Sequence, residues 1–189
     1  MITVENFYQL AALLGVQGQV DIAYSERIAA PTNAKDFARE AIWVICCSGM
    51  KYEIARLIER RVWSALRAGE PVAGVFAHRR KAAAMETIWS NREAFYEEFL
   101  VSNDKLAFCQ SLPWIGKITR YHLAKSCGLD CAKPDVHLKR LADREGVTAQ
   151  ALCERLARET GLRVATIDLL LWRACATRLL DSRTGVIAA

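Results

Sequence analysis

Two short segments carry residue types whose spacing could do chemistry. Between Ser111 and Gly128 the chain reads Ser-Leu-Pro-Trp-Ile-Gly-Lys-Ile-Thr-Arg-Tyr-His-Leu-Ala-Lys-Ser-Cys-Gly. A Leu112-Pro113-x-Ile115-Gly116 turn between two helices leaves the first N–H groups of the second helix without intrahelical acceptors, and such donors suit a phosphate oxygen. Gly116 permits a tight turn and close approach, and Lys117 and Arg120 add positive charge beside it. The second segment is Ala132-Lys-Pro-Asp-Val-His-Leu-Lys-Arg-Leu141. Here Asp135 follows a proline and opens a helix, where the helix dipole favours an ionised carboxylate. Beside a backbone phosphate clamp, that charge can stabilise a developing positive centre.

These residues must be positioned by a chain of 189 residues, long enough for one domain or two small lobes. With 52% hydrophobic and 25% charged residues, 10 Gly and 4 Pro, the composition is that of a folded globule and not of a disordered or fibrous chain. Seven cysteines, an odd number, on a chain opening Met-Ile-Thr-Val-Glu point to a reduced, cytoplasmic protein. The nearly uncharged run Ala41 to Met50 is far shorter than a membrane span, so no membrane association is expected. The net charge is +5, and Ser111 to Arg144 carries seven bases against three acids. A basic stretch of this kind favours a polyanionic partner, although a solvated helix face is the commoner meaning of a charge cluster alone.

Hydrophobic periodicity is helical nearly throughout, and no β-branched alternation is long enough for a strand. The expected class is therefore all-α. Helices are predicted over Ile2 to Leu14, Asn33 to Cys47, Tyr52 to Ala68, Ala77 to Trp89, Asp104 to Gln110, Gly116 to Cys127, Val136 to Glu145, Thr148 to Thr160 and Arg163 to Leu180. The second should be buried on most sides. The third should bury Ile54, Leu57, Ile58, Val62 and Leu66, keep Arg56, Arg60 and Arg61 wet, and end at Gly69 and Pro71. Ser90 with Glu93 forms a capping-box pattern that should separate two helices.

The hairpin and the aspartate together resemble the helix-hairpin-helix DNA glycosylase superfamily. Its hairpin reads Leu-Pro-Gly-(Val/Ile)-Gly, and its catalytic aspartate follows about one helix later in an Asp-x-His-(Val/Ile/Met) context. This chain has Leu112-Pro113-Trp114-Ile115-Gly116 and then Asp135-Val136-His137-Leu138. Ile45-Cys-Cys-Ser-Gly-Met50 is similar to the family's apolar helix ending in a loop beside the extruded base, so the likeness runs from about Ala41 onward. It implies two all-α lobes with a central cleft, one of residues 31–130 ending in the helix-hairpin-helix and one of residues 1–30 with 131–189. It further implies DNA carrying a damaged or modified base as substrate, Asp135 as catalytic carboxylate, and water as nucleophile. Leu112, Trp114, Ile115, Gly116, Lys117, Thr119 and Arg120 would hold the DNA backbone, with Met50 and His137 as further DNA contacts, in a monomer without cofactor.

The chain departs from the family pattern in four ways. Trp114 replaces the hairpin's first glycine. Ile118 stands where lyase members carry their Schiff-base lysine, and Lys117 points about 100° away on the helix, which favours a monofunctional hydrolase. Only Cys153 and Cys175 follow Asp135, too few for the iron–sulfur cluster of some members. With Ala189 as the last residue, the extra domains that some members use to read the opposite strand are not expected. A non-catalytic DNA-binding protein that keeps the hairpin is the rival reading, and Trp114 is its best support. Cys127 and Cys131 with His122 and His137 lack a second ligand pair for zinc, so no metal is expected. Trp43, Trp63, Trp89 and Trp172 read as packing residues, and Asp168 as a structural acid in an apolar helix.

Overall fold

The computed structural model describes residues 1–188, and the described residues are all-α, as expected. Eleven α-helices follow one another: α1 (Val4–Leu13), α2 (Val16–Arg27), α3 (Ala34–Cys47), α4 (Tyr52–Ala68), α5 (Arg79–Ser90), α6 (Arg92–Val101), α7 (Lys105–Ser111), α8 (Thr119–Ser126), α9 (Val136–Asp143), α10 (Ala149–Thr160) and α11 (Val164–Ala176). No helix among the described residues is long and apolar enough to cross a membrane. The chain divides into two compact units, Ala30–Cys127 and Met1–Ala29 together with Gly128–Ala189.

The Ala30–Cys127 unit is built around α3, which packs against α4, α5, α6 and α8. Its start is fixed by Asn33, whose side chain accepts the Asp36 N–H at 2.9 Å. Phe37, Ala38, Ala41, Ile42, Val44, Ile45 and Cys46 are then all fully buried, as a helix surrounded by others requires. Phe37 meets Phe99 and Phe108 at ring distances of 5.1 and 6.1 Å, joining α3 to α6 and α7.

The other unit buries Phe7, Leu10, Leu138, Leu141, Leu152, Leu156, Ile167, Leu170 and Leu171 in one cluster around α11. Asp21 on α2 accepts two hydrogen bonds from the Arg173 guanidinium on α11, at 2.7 and 3.2 Å. Arg163 donates to the carbonyls of Ser25, Ile28 and Gly128, and so clasps both pieces of chain where they leave and re-enter the unit.

One helix was not predicted, and three local expectations need correction. Residues 16–27 form a helix although their pattern is polar; Gly18 sits so close to α1 that a Cβ there would lie 2.7 Å from the Ala11 carbonyl. The capping box at Ser90 does not form: α5 runs through Ser90, and Asn91 both ends α5 and starts α6 without a side-chain cap. α4 buries Ala55, Glu59, Val62, Ala65 and Leu66, leaving Ile54 and Leu57 46% and 53% exposed. α11 ends at Ala176, and Leu180 instead makes an antiparallel bridge with Ile187.

Candidate functional site

The turn between α7 and α8 begins with Leu112 and Ile115, whose side chains are buried and anchor it to the unit's core. The Ile115 N–H donates to the Leu112 carbonyl at 3.1 Å, closing a tight turn. At its corner stands Trp114 with φ +66°, the left-handed region that costs an L-residue about 1–2 kcal/mol. The residue that would benefit from glycine is therefore Trp114. Gly116 has ordinary backbone angles, and a Cβ there would meet only the Thr119 hydroxyl, at 3.9 Å. The turn itself does not require that glycine, and its bare backbone faces open space.

Thr119 completes the turn: its Oγ1 accepts the Gly116 N–H at 2.7 Å, and the Gly116 carbonyl accepts the Arg120 N–H at 3.0 Å. α8 starts one residue after Ile118 with no side-chain cap, three residues later than the helix predicted from Gly116. The N–H groups of Lys117, Ile118 and Thr119 have no acceptor among the described residues, the donor pattern that the sequence reading anticipated. Lys117 is exposed, and Ile118 is 42% exposed. Arg120 behaves differently from expectation. Its guanidinium donates to Gln110 Oε1 at 2.8 Å and to the Tyr121 hydroxyl at 3.1 Å, and stacks over the Tyr121 ring. It braces α7 against α8 and is not a free phosphate ligand.

In the same unit, α3 is followed by Ser48, Gly49 and Met50, with Gly49 at φ +69° and the Met50 N–H donating to the Cys47 carbonyl at 3.2 Å. Lys81 of α5 is buried, and its Nζ donates to the Ser48 carbonyl, which fixes the loop that presents half-buried Met50. Burial pulls the Lys81 amine below its usual range. Burial also pushes the neighbouring Cys46 thiol up to about 12, helped by the charges of Cys47 and Glu59.

Asp135 belongs to the other unit. It caps α9, with Oδ1 accepting the N–H groups of His137 at 2.9 Å and Leu138 at 3.1 Å. Oδ2 is left over, 3.9 Å from Lys133 Nζ. Lys133 is held in turn by Asp168, only 2% exposed on α11, whose Oδ1 accepts the Lys133 N–H at 3.2 Å. Asp168 is thus a structural acid, and what it supports is the segment carrying Asp135. His137 turns its Nδ1 to the buried Ser182 hydroxyl at 3.1 Å. The Cys175 thiol is pushed up to about 12 by burial and then by the negative charges of Asp135 and Asp181, so it stays a neutral thiol beside the carboxylate.

The sequence reading missed Lys133 and Ser182 as neighbours of this group. Ser182 lies beyond the helix predicted to end at Leu180, and nothing in its spacing marks it. Lys133, two residues before Asp135, was visible only as one base among seven. Among the described residues no group of three or more His, Cys, Asp or Glu side chains is arranged to hold a metal ion. Trp43, Trp63, Trp89 and Trp172 are half-buried, with Trp63 and Trp89 meeting edge to face at 5.3 Å. Compared with protein-family models, curated proteins and solved structures, the chain matches none.

Proposed function

We propose that this protein is a DNA glycosylase that hydrolyses the N-glycosidic bond of a damaged or modified base flipped out of duplex DNA, in base excision repair. The observation that carries the reading is the division of labour in the Asp135 carboxylate. One oxygen is fixed by two backbone N–H groups, and the other is outside the cap and faces Lys133 Nζ at 3.9 Å. A carboxylate so held keeps its position without spending both oxygens on the fold. The turn at residues 112–119, with three unpaired N–H donors and exposed Lys117, supports the same reading as a phosphate-backbone contact.

The chemistry follows from these groups. A flipped nucleotide exposes its C1′–N bond. As that bond breaks, the electron pair leaves with the base and the sugar takes on oxocarbenium character. The Asp135 carboxylate stabilises that positive charge electrostatically. Water then adds at C1′, Asp135 orients it and accepts its proton, and the leaving base is protonated from solvent, giving free base and an abasic site. Met50, on the loop pinned by Lys81, is a further DNA contact on its own unit. Ile118 stands where lyase members of that superfamily carry their Schiff-base lysine, which favours hydrolysis alone. His137 enters as a DNA contact close to Asp135 in sequence, oriented by Ser182.

The test is base release from duplexes that each carry one lesion or modified base, with abasic sites revealed by alkali, comparing wild type with Asp135→Asn. Release from one substrate that the variant abolishes supports the enzyme. Salt-sensitive DNA binding by both proteins without release from any substrate supports the non-catalytic binding protein.

A further inference from the structure

The turn that carries the unpaired N–H groups does not stand alone on its unit. Trp114 sets its ring edge-on against His78, with centroids 5.0 Å apart, and His78 is stacked in turn on the buried Phe76 at 6.2 Å. His78 is the N-cap of α5, its Nδ1 accepting the Lys81 N–H at 3.3 Å. The next two residues, Arg79 and Arg80, are exposed and make no ion pair or hydrogen bond through their guanidinium groups among the described residues. The first turn of α5 contains no acid. Two cations at the positive end of a helix oppose its dipole, and no acid in that first turn offsets the cost. Phe76, His78 and Trp114 thus join the α7–α8 turn to a pair of uncompensated arginines.

We infer that Arg79 and Arg80 extend the α7–α8 turn into one continuous surface for duplex DNA, in which the sugar-phosphate backbone passes from Lys117 across Trp114 to the start of α5. The inference rests on the proposed DNA-binding function and adds a second group of phosphate contacts to it. Arginine guanidinium groups suit phosphate oxygens because their planar donors pair with two oxygens at once. An exposed aromatic between the two basic groups lies against sugar or backbone without demanding sequence. Trp114, 39% exposed at a position held in a left-handed conformation, meets that requirement.

The test is binding of a fluorescein-labelled duplex followed by anisotropy over a range of salt concentrations. Each phosphate contact contributes about 0.9 to the slope of log K against log salt. Arg79→Ala/Arg80→Ala is expected to reduce the slope by about 2, Lys117→Ala by about 1, and Arg79→Lys/Arg80→Lys to keep the wild-type slope. Lys35→Ala/Arg158→Ala removes two charges from other exposed positions and is expected to leave the slope unchanged. Thermal melting of each variant checks that it is folded. If wild type binds with a steep slope and Lys117→Ala reduces it while Arg79→Ala/Arg80→Ala does not, the α5 contact is overturned and the DNA-binding reading stands. Equal losses in the Arg79/Arg80 and Lys35/Arg158 variants would likewise reduce the effect to overall charge and overturn the contact. Absence of salt-dependent binding by wild type overturns both readings.

Discussion

Lys133 Nζ stands 3.9 Å from the one oxygen of Asp135 that capping of α9 leaves over. The cap and the oxygen facing Lys133 are separable functions of one side chain. Asp135→Asn keeps an acceptor for the His137 and Leu138 N–H groups and removes the charge. Asp135→Ala removes both and is expected to cost about 1 kcal/mol of stability. Base release should fall on the order of 100-fold or more in both variants, with a lowered unfolding midpoint in denaturant only for the alanine variant.

Asp168 acts on the same carboxylate from a distance. Its replacement by alanine leaves the Lys133 N–H without its acceptor, at an expected cost of about 1–3 kcal/mol. Asp168→Asn retains an acceptor and should cost less. Denaturant unfolding, run beside base release, should rank wild type, asparagine and alanine in that order in both measurements.

The backbone at Trp114 gives a prediction independent of function. Trp114→Gly and Trp114→Ala both lose the ring and its contact with His78, so their difference isolates the left-handed conformation. The glycine variant should exceed the alanine variant in stability by about 1 kcal/mol.

Glu40 supplies a pH dependence. Burial raises its pKa above 4.5, an effect opposed by Arg39 and by a hydrogen bond with Ser126. A raised carboxyl pKa means that the folded state binds more protons than the unfolded chain between the two values, so stability falls as pH rises through that window. Glu40→Gln removes the buried charge while keeping a polar partner for Ser126. Its melting temperature should exceed that of wild type at pH 7, and the advantage should shrink as the pH is lowered toward 4.5.

Much of the unit of residues 30–127 was legible because its signals agree with one another. Asn33 before a run of apolar residues fixes both the start and the burial of α3; in the other unit Pro134-Asp135 marks the cap of α9. The face of α4 was misread because bulk and burial diverge there. Ile54 and Leu57 are large and exposed, while small Ala55 and Ala65 face inward with Glu59, which Arg56 pairs at 2.8 Å. α2 was missed because its glycine serves a close approach to α1 that no local pattern records. The support that Asp168 gives Lys133 spans 35 residues of sequence; it depends on how α11 packs, which periodicity alone does not specify. The same holds for Arg120, whose charge was plain but whose partner Gln110 is set by the pairing of α7 with α8.

The unit that contains Asp135 is assembled from the two ends of the chain, which gives biosynthesis a direction. α1 and α2 are made before residues 30–127, yet Phe7 and Leu10 have packing partners on α10 and α11, made after them, and Asp21 waits for Arg173. The contiguous unit of residues 30–127 can close while synthesis continues, since domains fold as units when their residues are available. A chain interrupted after Cys127 would therefore hold a finished core beside two helices with bare apolar faces. Such a fragment would be a natural target for chaperones or proteases, and the segment carrying Asp135 would gain its support from Asp168 only once α11 had been made.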